Sequence, residues 1–377
     1  MKTAINDIKV CILSSVHNAL DTRIFYKEAK TLAGAGYNVT LIAQYEKVEY
    51  VDGIKIIPLK KHKSRFQRIT VGIYTLFVLA IKEGADIYHL HDPELVFTGL
   101  ALKLMGKKVV YDIHELVYFQ IEDKYWLKNK VVKFLCKKTY LVLEKVSFKF
   151  FDKLILAEDG YEDYYKQVRN WRRYNIVRNV PIISFIDSVN PAVGYARQKP
   201  IIIYAGVLSE LRGTKDLIKS MEFIKGNAEL WLLGRWEAES FKKKCESLEG
   251  WEHTKYLGVV SLHNVYRYMK GASIGVATLY PVKNYLTSLP VKTFEYMTCK
   301  LPMVISNFPY WEEIFKKCAL FVNPEDPEDI ADKLNYLLGN RHLMKELGEN
   351  GRRLIENKYS WEMEITKLLK LYKEIEI

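Results

Sequence analysis

Leu286 to Ser306 reads LTSLPVKTFEYMTCKLPMVIS. Pro290 stands where a helix begins, Lys292 and Glu295 share one face of that helix at i, i+3, and a buried strand follows at once over 302–305. A helix start of this kind aims free backbone N–H groups and a positive dipole end outward, which favours an anion such as a phosphate. One basic and one acidic residue on its first turns suit a ligand carrying both phosphates and hydroxyls. A solvated pair on an ordinary surface helix explains Lys292 and Glu295 equally well from this segment alone, so the rest of the chain has to decide.

Outward from this segment, short β-rich runs alternate with helical patterns. In the first half strands are expected at 10–14, 39–43, 54–59, 87–91, 109–113, 154–157 and 175–178, with helices at 23–33, 66–82, 94–105 and 128–150. Asp21 is the expected N-cap of the first helix. Pro191, Gly194 and Pro200 mark a stretch of weak periodicity. Beyond it the alternation restarts, with strands expected at 201–205, 229–233, 255–257, 274–278, 303–306 and 320–322. This predicts two doubly wound α/β domains: 1–190, joined by a C-terminal helix at 359–377, then a linker at 191–199, and 200–358. Ligands of such folds sit at the carboxyl ends of strands, and with two domains the expected site is the cleft between them.

At 377 residues the chain exceeds the roughly 250 to 300 at which single cores stop growing, and 49% hydrophobic content suffices for two cores. The longest apolar run, Ile69 to Ile81, has 13 residues and is too short to span a bilayer. The start of the chain runs into a strand pattern without a signal peptide, and five scattered cysteines suggest neither a disulfide framework nor a zinc knuckle. A reducing cytoplasm is the expected location. The net charge of +12 implies an anionic partner.

Gly34-Ala35-Gly36 imitates a dinucleotide fingerprint but follows a helix and precedes a strand, the reverse of the required order, so it reads as a C-cap. His89, His91 and Asp92 at one strand end, with His114 and Glu115 at the next, could gather around a metal, yet strand ends collect polar residues for many purposes and no metal is expected. Two basic blocks stand out. Lys60, Lys61, Lys63, Arg65 and Arg68 lead into the apolar run, and Lys124 to Lys153 interleaves nine lysines, Lys128, Lys130, Lys133, Lys137 and Lys138 among them, with Trp126, Leu127, Phe134, Leu135, Phe148, Phe150 and Phe151. Such blocks suit an anionic membrane surface, unless the apolar residues simply pack on the sheet. No nucleic-acid reader motif accompanies them.

Taken in order, Asp21-Thr-Arg23-Ile-Phe with Glu28 and Leu32-Ala-x-Ala-Gly36-Tyr, His91-Asp-Pro-Glu94, Val110-Tyr-Asp-Ile-His-Glu115, Tyr204-Ala-Gly-Val with Arg212-Gly213, Gly258-Val-Val-Ser261 and Pro290-Val-Lys-Thr-Phe-Glu-Tyr-Met297 resemble the retaining glycosyltransferases of family 4. The resemblance covers essentially the whole chain. It implies the GT-B fold of two facing Rossmann-like domains and a nucleoside-diphosphate sugar as donor. Arg212 and Lys292, with the amides of Ser288, Leu289, Pro290 and Val291, would clamp the diphosphate. Glu295 would meet the ribose, Gly258 and Val259 the base, and His114 the sugar. Asp21, Arg23, His91 and Glu115 would lie on the acceptor side. One position departs: where many members carry a glutamate eight residues before the second, this chain has Thr287.

The expected activity is metal-independent, cofactor-free transfer of a hexose-type sugar, with retention, from a UDP- or GDP-sugar to a glycan or lipid-linked acceptor. Surface polysaccharide or glycolipid synthesis at the inner face of the plasma membrane fits it. The alternatives are a nucleotide-sugar epimerase of the same fold and a non-catalytic basic module that binds membrane or nucleic acid.

Overall fold

The computed structural model describes residues 7–123, 129–168, 174–192, 199–225 and 228–375. It divides into two compact units: Met1–Asn179 with Glu364–Ile377, and Val180–Met363.

The first unit is built on eight strands: β1 (Lys9–Asn18), β2 (Asn38–Gln44), β3 (Glu49–Val51), β4 (Ile54–Leu59), β5 (Ile87–Leu90), β6 (Lys108–Ile113), β7 (Lys153–Leu156) and β8 (Asn175–Ile176). Their order is β3-β4-β2-β1-β5-β6-β7-β8, parallel except for β3. The expected parallel strands all form. β3, which the sequence reading missed, is an antiparallel edge ribbon turned back through Asp52 and Gly53, both at positive φ. Strand order reverses at β1, so the carboxyl ends of β1 and β5 open a crevice at the switch point. Asp21 caps the first helix by accepting from the backbone of Arg23 at 2.8 Å and Ile24 at 3.1 Å, and Gly36 closes it at φ 99. The Gly34-Ala35-Gly36 run therefore ends a helix.

The second unit has β9 (Ile201–Ala205), β10 (Glu229–Leu233), β11 (Thr254–Gly258), β12 (Ile274–Ala277), β13 (Met303–Ser306) and β14 (Ala319–Val322), all parallel in the order β11-β10-β9-β12-β13-β14. Alternate residues of β9 enter different cores. Ile201 and Ile203 pack with Phe294, Tyr296 and Trp311 on one face, and Ile202 and Tyr204 with Leu217, Leu232 and Ile330 on the other. This double burial explains why the strand reads as an unbroken apolar run.

The domain boundary differs from expectation. The chain changes units at Asn179/Val180, because Val180, Ile186 and Val189 are buried in the second core and the Ala192 amide donates to Arg267 O. Proline and glycine signal an interruption of local structure, not which core the neighbouring apolar side chains join. Most of the expected linker, 193–198, lies outside the described residues. The last helix, Trp361–Ile375, begins in the second unit and from Glu364 onward completes the first, where Leu368, Leu371 and Tyr372 are buried.

Helix Lys130–Phe150 corrects the packing alternative for the second basic block. Phe148 and Phe151 are buried, but Val131, Phe134, Leu135, Val142 and Phe150 are each more than half exposed beside exposed Lys130 and Lys138. Lys133 and Lys137 are half-buried, and Lys128, Trp126 and Leu127 lie outside the described residues. In the first block Lys60, Lys61, Lys63 and Arg65 are exposed, whereas Arg68 is held in an ion pair with Glu94. No helix among the described residues is long and apolar enough to cross a membrane.

Candidate active site

Two polar constellations occupy the carboxyl ends of the two sheets. In the second unit, β9 is followed at once by Gly206, whose φ of 144 disfavours any residue with a side chain. A Cβ there would stand 2.9 Å from the Lys292 ammonium and 3.5 Å from the Arg212 guanidinium, so both cations converge on this bare piece of backbone. Arg212 closes a short turn, Glu210–Arg212, and Gly213 follows in the left-handed region against the Thr278 carbonyl, where no Cβ fits. The phenols of Tyr204 and Tyr285 stand close enough to the Arg212 guanidinium to raise its pKa, and Tyr204 Oη donates to Val207 O at 2.9 Å.

Lys292 is on the first turn of helix Val291–Thr298 and is buried. Its ammonium lies 3.6 Å from the centre of the Tyr204 ring and meets no hydrogen-bond acceptor among the described residues. Burial, then the neighbouring Arg212 charge, push its pKa well below the ordinary lysine range. Two cations with the nearer one unsatisfied form a site short of an anion.

The residues around this pair fall into place unevenly. Glu295, one turn on, accepts from Tyr266 Oη at 2.9 Å. Leu289 is buried, Ser288 O accepts from the Trp311 indole at 2.7 Å, and Pro290 caps the helix. Of the amides expected along 288–291, Pro290 supplies none, since proline has no N–H. Gly258 takes φ 75 and Val259 beside it is 75% exposed. Thr287 turns its hydroxyl back to Lys283 O at 3.4 Å, capping the short helix before it.

The first unit holds a cavity of about 520 Å³ lined by His17, Arg65, Arg68, His91, Glu94, His114 and Glu115 among others. Asp92 builds its wall: from the end of β5 it accepts the Ser15 amide at 2.6 Å, the Ser14 hydroxyl at 2.9 Å and the Val16 amide at 3.2 Å, tying β5 to the end of β1. Glu94 accepts from Ser15 Oγ at 2.6 Å and from Arg68 through two nitrogens. His114 contacts His91, Nε2 to Nδ1, at 2.9 Å.

Of the four residues expected on the acceptor side, His91 and Glu115 line the cavity. Asp21 is occupied as a helix cap. Arg23 is buried, bonding Asp112 Oδ2 through Nε and Nη2 at 2.9 and 2.7 Å, with Glu28 Oε1 at 3.0 Å. Burial opposes ionisation of Asp112, but Arg23 outweighs it and holds the carboxyl far down; burial, then Asp112, push Glu28 well up. Burial lowers His114, and brings His89 to about 4. The grouping able to hold a metal is also not the one expected. It is Glu28, His89, His91 and Asp112, with donor atoms within 4.8 Å of one another, whereas Asp92 is spent on β1. Glu28 and Asp112 were visible only as motif letters, and a charged residue on the buried face of an amphipathic helix was the available signal.

The sequence matches two family models, "Glycosyl transferase 4-like" over residues 9–145 and "Glycosyl transferases group 1" over residues 188–354. An uncharacterized glycosyltransferase of Methanocaldococcus jannaschii is 24% identical over 357 residues, 92% of each chain. The chain belongs to the GT-B glycosyltransferases of the family 4-like type.

Among solved structures, this glycosyltransferase is similar to sucrose-phosphate synthase of Thermosynechococcus elongatus, with TM-score 0.78 and 17% identity over 98% of this chain and 99% of that one. It is also similar to Anabaena HepE in complex with UDP-glucose, with TM-score 0.74 and 10% identity over 97% and 100%. Both likenesses show the fold. In the glycosyltransferase described here, Arg212 and Lys292 come together around Gly206, and His114 stands with His91 and Glu115 in the cavity of the other unit.

Proposed function

We propose that this glycosyltransferase moves a sugar from a UDP- or GDP-sugar to a glycan or lipid-linked saccharide, with retention of configuration and without a metal ion. The observation that carries this reading is the buried Lys292 ammonium, without an acceptor among the described residues, beside Arg212 at the bare backbone of Gly206. Breaking the anomeric C–O bond loads negative charge onto the departing diphosphate. Fixed cations in a site of low dielectric stabilise that charge with no reorganisation at the moment of reaction. Glu295, one turn from Lys292, suits the ribose hydroxyls, and Gly258 with Val259 the base. The leaving phosphate takes the acceptor proton, so no protein nucleophile is needed. HepE, a structural relative, is in complex with UDP-glucose, which favours a uridine donor.

His114, Glu115 and Glu94 would face the transferred sugar and the acceptor. The exposed Phe134, Leu135 and Phe150 among lysines on helix Lys130–Phe150, with the Lys60 to Arg65 block, support docking on an anionic leaflet at the cytoplasmic face, as synthesis of a surface polysaccharide or glycolipid requires. The test is a thermal-shift screen of UDP- and GDP-sugars. A matching donor should raise the melting temperature of the wild type and not of Lys292→Ala or Arg212→Ala. The reading fails if no nucleotide sugar stabilises the protein and neither variant loses turnover.

A further inference from the structure

Four fully buried side chains of the first unit meet near the carboxyl ends of its strands. Glu28 comes from the first helix, His89 and His91 from the end of β5, and Asp112 from β6. Their donor atoms, one from each residue, lie within 4.8 Å of one another. Neither oxygen of Glu28, nor Asp112 Oδ1, His89 Nε2 or His91 Nε2, has a hydrogen-bond partner among the described residues. Unpaired buried polar atoms are costly, and a single cation shared by all four residues removes that cost at once.

The geometry is that of a metal site. Glu28 Oε2 stands 3.2 Å from His91 Nε2 and 3.8 Å from His89 Nε2. A tetrahedron with arms of about 2.0 to 2.1 Å, the length of a bond from zinc to imidazole or carboxylate, has edges of about 3.3 Å. These two separations therefore admit an ion with little movement. The opposite ring nitrogens are engaged elsewhere: His89 Nδ1 with Tyr372 Oη and His91 Nδ1 with His114 Nε2, each at 2.9 Å. Ligating histidines are oriented in this way, the second nitrogen donating to a neighbour while the first faces the ion. Arg23 is compatible with such an ion. It bonds Asp112 Oδ2 and stands 3.0 Å from Glu28 Oε1, so each carboxylate keeps its other oxygen.

We propose that Glu28, His89, His91 and Asp112 bind zinc or a similar divalent transition-metal ion through two imidazole nitrogens and two carboxylate oxygens. The two imidazoles argue against calcium and magnesium, which take oxygen ligands. Four protein ligands in a buried place make the ion structural. It fastens the first helix to β5 and β6 and, through Tyr372, to the last helix, behind the cavity wall that His91 forms. The inference does not rest on the proposed function, whose diphosphate site is in the second unit and uses no ion. The competing arrangement is a proton shared by Glu28 and Asp112, which pairs the carboxylates but offers nothing to the two Nε2 atoms.

The experiment titrates the full chain, dialysed against EDTA, with zinc and with cobalt, and measures bound metal by mass spectrometry after desalting. Cobalt also reports its surroundings, because its visible absorption intensifies in a four-coordinate site. Wild type should retain roughly one ion per chain and give the intense cobalt spectrum. His89→Gln and Glu28→Gln should lose both signals. Tyr372→Phe, which removes only the partner of His89, should weaken the affinity by about 10- to 100-fold. His342→Gln, at an exposed histidine of the second unit, should change nothing. No retained ion in the wild type, binding that survives both ligand variants, unaltered affinity in Tyr372→Phe, or loss in His342→Gln would overturn the proposal. If the ligand variants do not fold, X-ray absorption of the loaded wild type decides: two imidazole ligands on the ion support the site, and any other number refutes it. None of these readouts involves sugar transfer, so a missing ion sinks this inference alone, and absent donor binding sinks only the proposed function.

Discussion

The two units treat buried charge in opposite ways. In the first, Arg23 is matched by Asp112 and Glu28, and every charge of the cluster has its counter-charge inside the same fold. In the second, Lys292 and Arg212 stand together, with aromatic side chains and the more distant Glu295 to offset them among the described residues. Charge in the first cluster is offset within the fold, although Arg23 Nη1, both Glu28 carboxylate oxygens, Asp112 Oδ1, His89 Nε2 and His91 Nε2 make no hydrogen bond among the described residues. Uncompensated cations make a place that is least favourable when empty and gains most when an anion arrives.

The largest effect should come from removing what the second unit leaves unbalanced. Lys292→Ala and Arg212→Ala should each lower kcat by about 10² to 10³-fold, or roughly 2.7 to 4 kcal/mol of transition-state stabilisation, as steady-state assays with the matching donor would read. Equal kcat in variant and wild type would erase the contrast.

Acid should break the first unit instead. His89 is brought to about 4 by burial against an unperturbed 6.5, so below pH 6.5 the unfolded chain binds the proton more readily than the folded one. Stability is then lost as pH falls from 6.5 toward 4, by up to about 3 kcal/mol for this residue, and urea titrations across that range should show a slope that His89→Gln reduces. Lys292 works with the same sign at the basic end. Its depressed folded pKa makes the empty protein more stable as pH rises toward 10.5, and a bound diphosphate should flatten that slope.

Somewhat smaller is the cost of untying β5 from β1. Asp92→Asn replaces a charged acceptor of two backbone amides and a hydroxyl, and should cost about 2 kcal/mol in chemical denaturation. Smallest per residue is the membrane term. Neutralising Lys130 and Lys138 should weaken flotation with anionic vesicles by about 1 kcal/mol per lysine at low salt, with binding to neutral vesicles unaffected.

Much of this contrast was legible in the residue order. Runs such as Ile201-Ile-Ile-Tyr-Ala205 declare a doubly buried strand by themselves, whereas the Pro290 helix start with Lys292 read equally well as an anion site or a solvated surface pair until the motifs along the rest of the chain were set beside it. What escaped depends on distance along the chain. Glu28 and Asp112 are 84 positions apart in sequence, and only the sheet's strand order brings them under one arginine. The boundary was misplaced for the same reason: Val180, Ile186 and Val189 carry no local mark of which core they enter. Edge strand β3 has three residues, too few for a periodicity to register. Gly206 stood in a motif, but nothing in sequence shows that its missing side chain is the space into which two cations point.

The last helix adds a temporal constraint. Its residues from Glu364 onward supply Glu364 to Arg178, Tyr372 to His89 and Glu374 to Lys153, all in a unit whose other residues were made first. During synthesis the second unit, Val180–Met363, therefore has its whole sequence before the first does. The N-terminal unit must wait on the ribosome with Leu368, Leu371 and Tyr372 missing from its core, exposed to chaperones and proteases for the time it takes to translate the other. A ribosome-bound chain stalled just short of residue 364 should show a protected second unit and a protease-sensitive first, and releasing the final segment should close it.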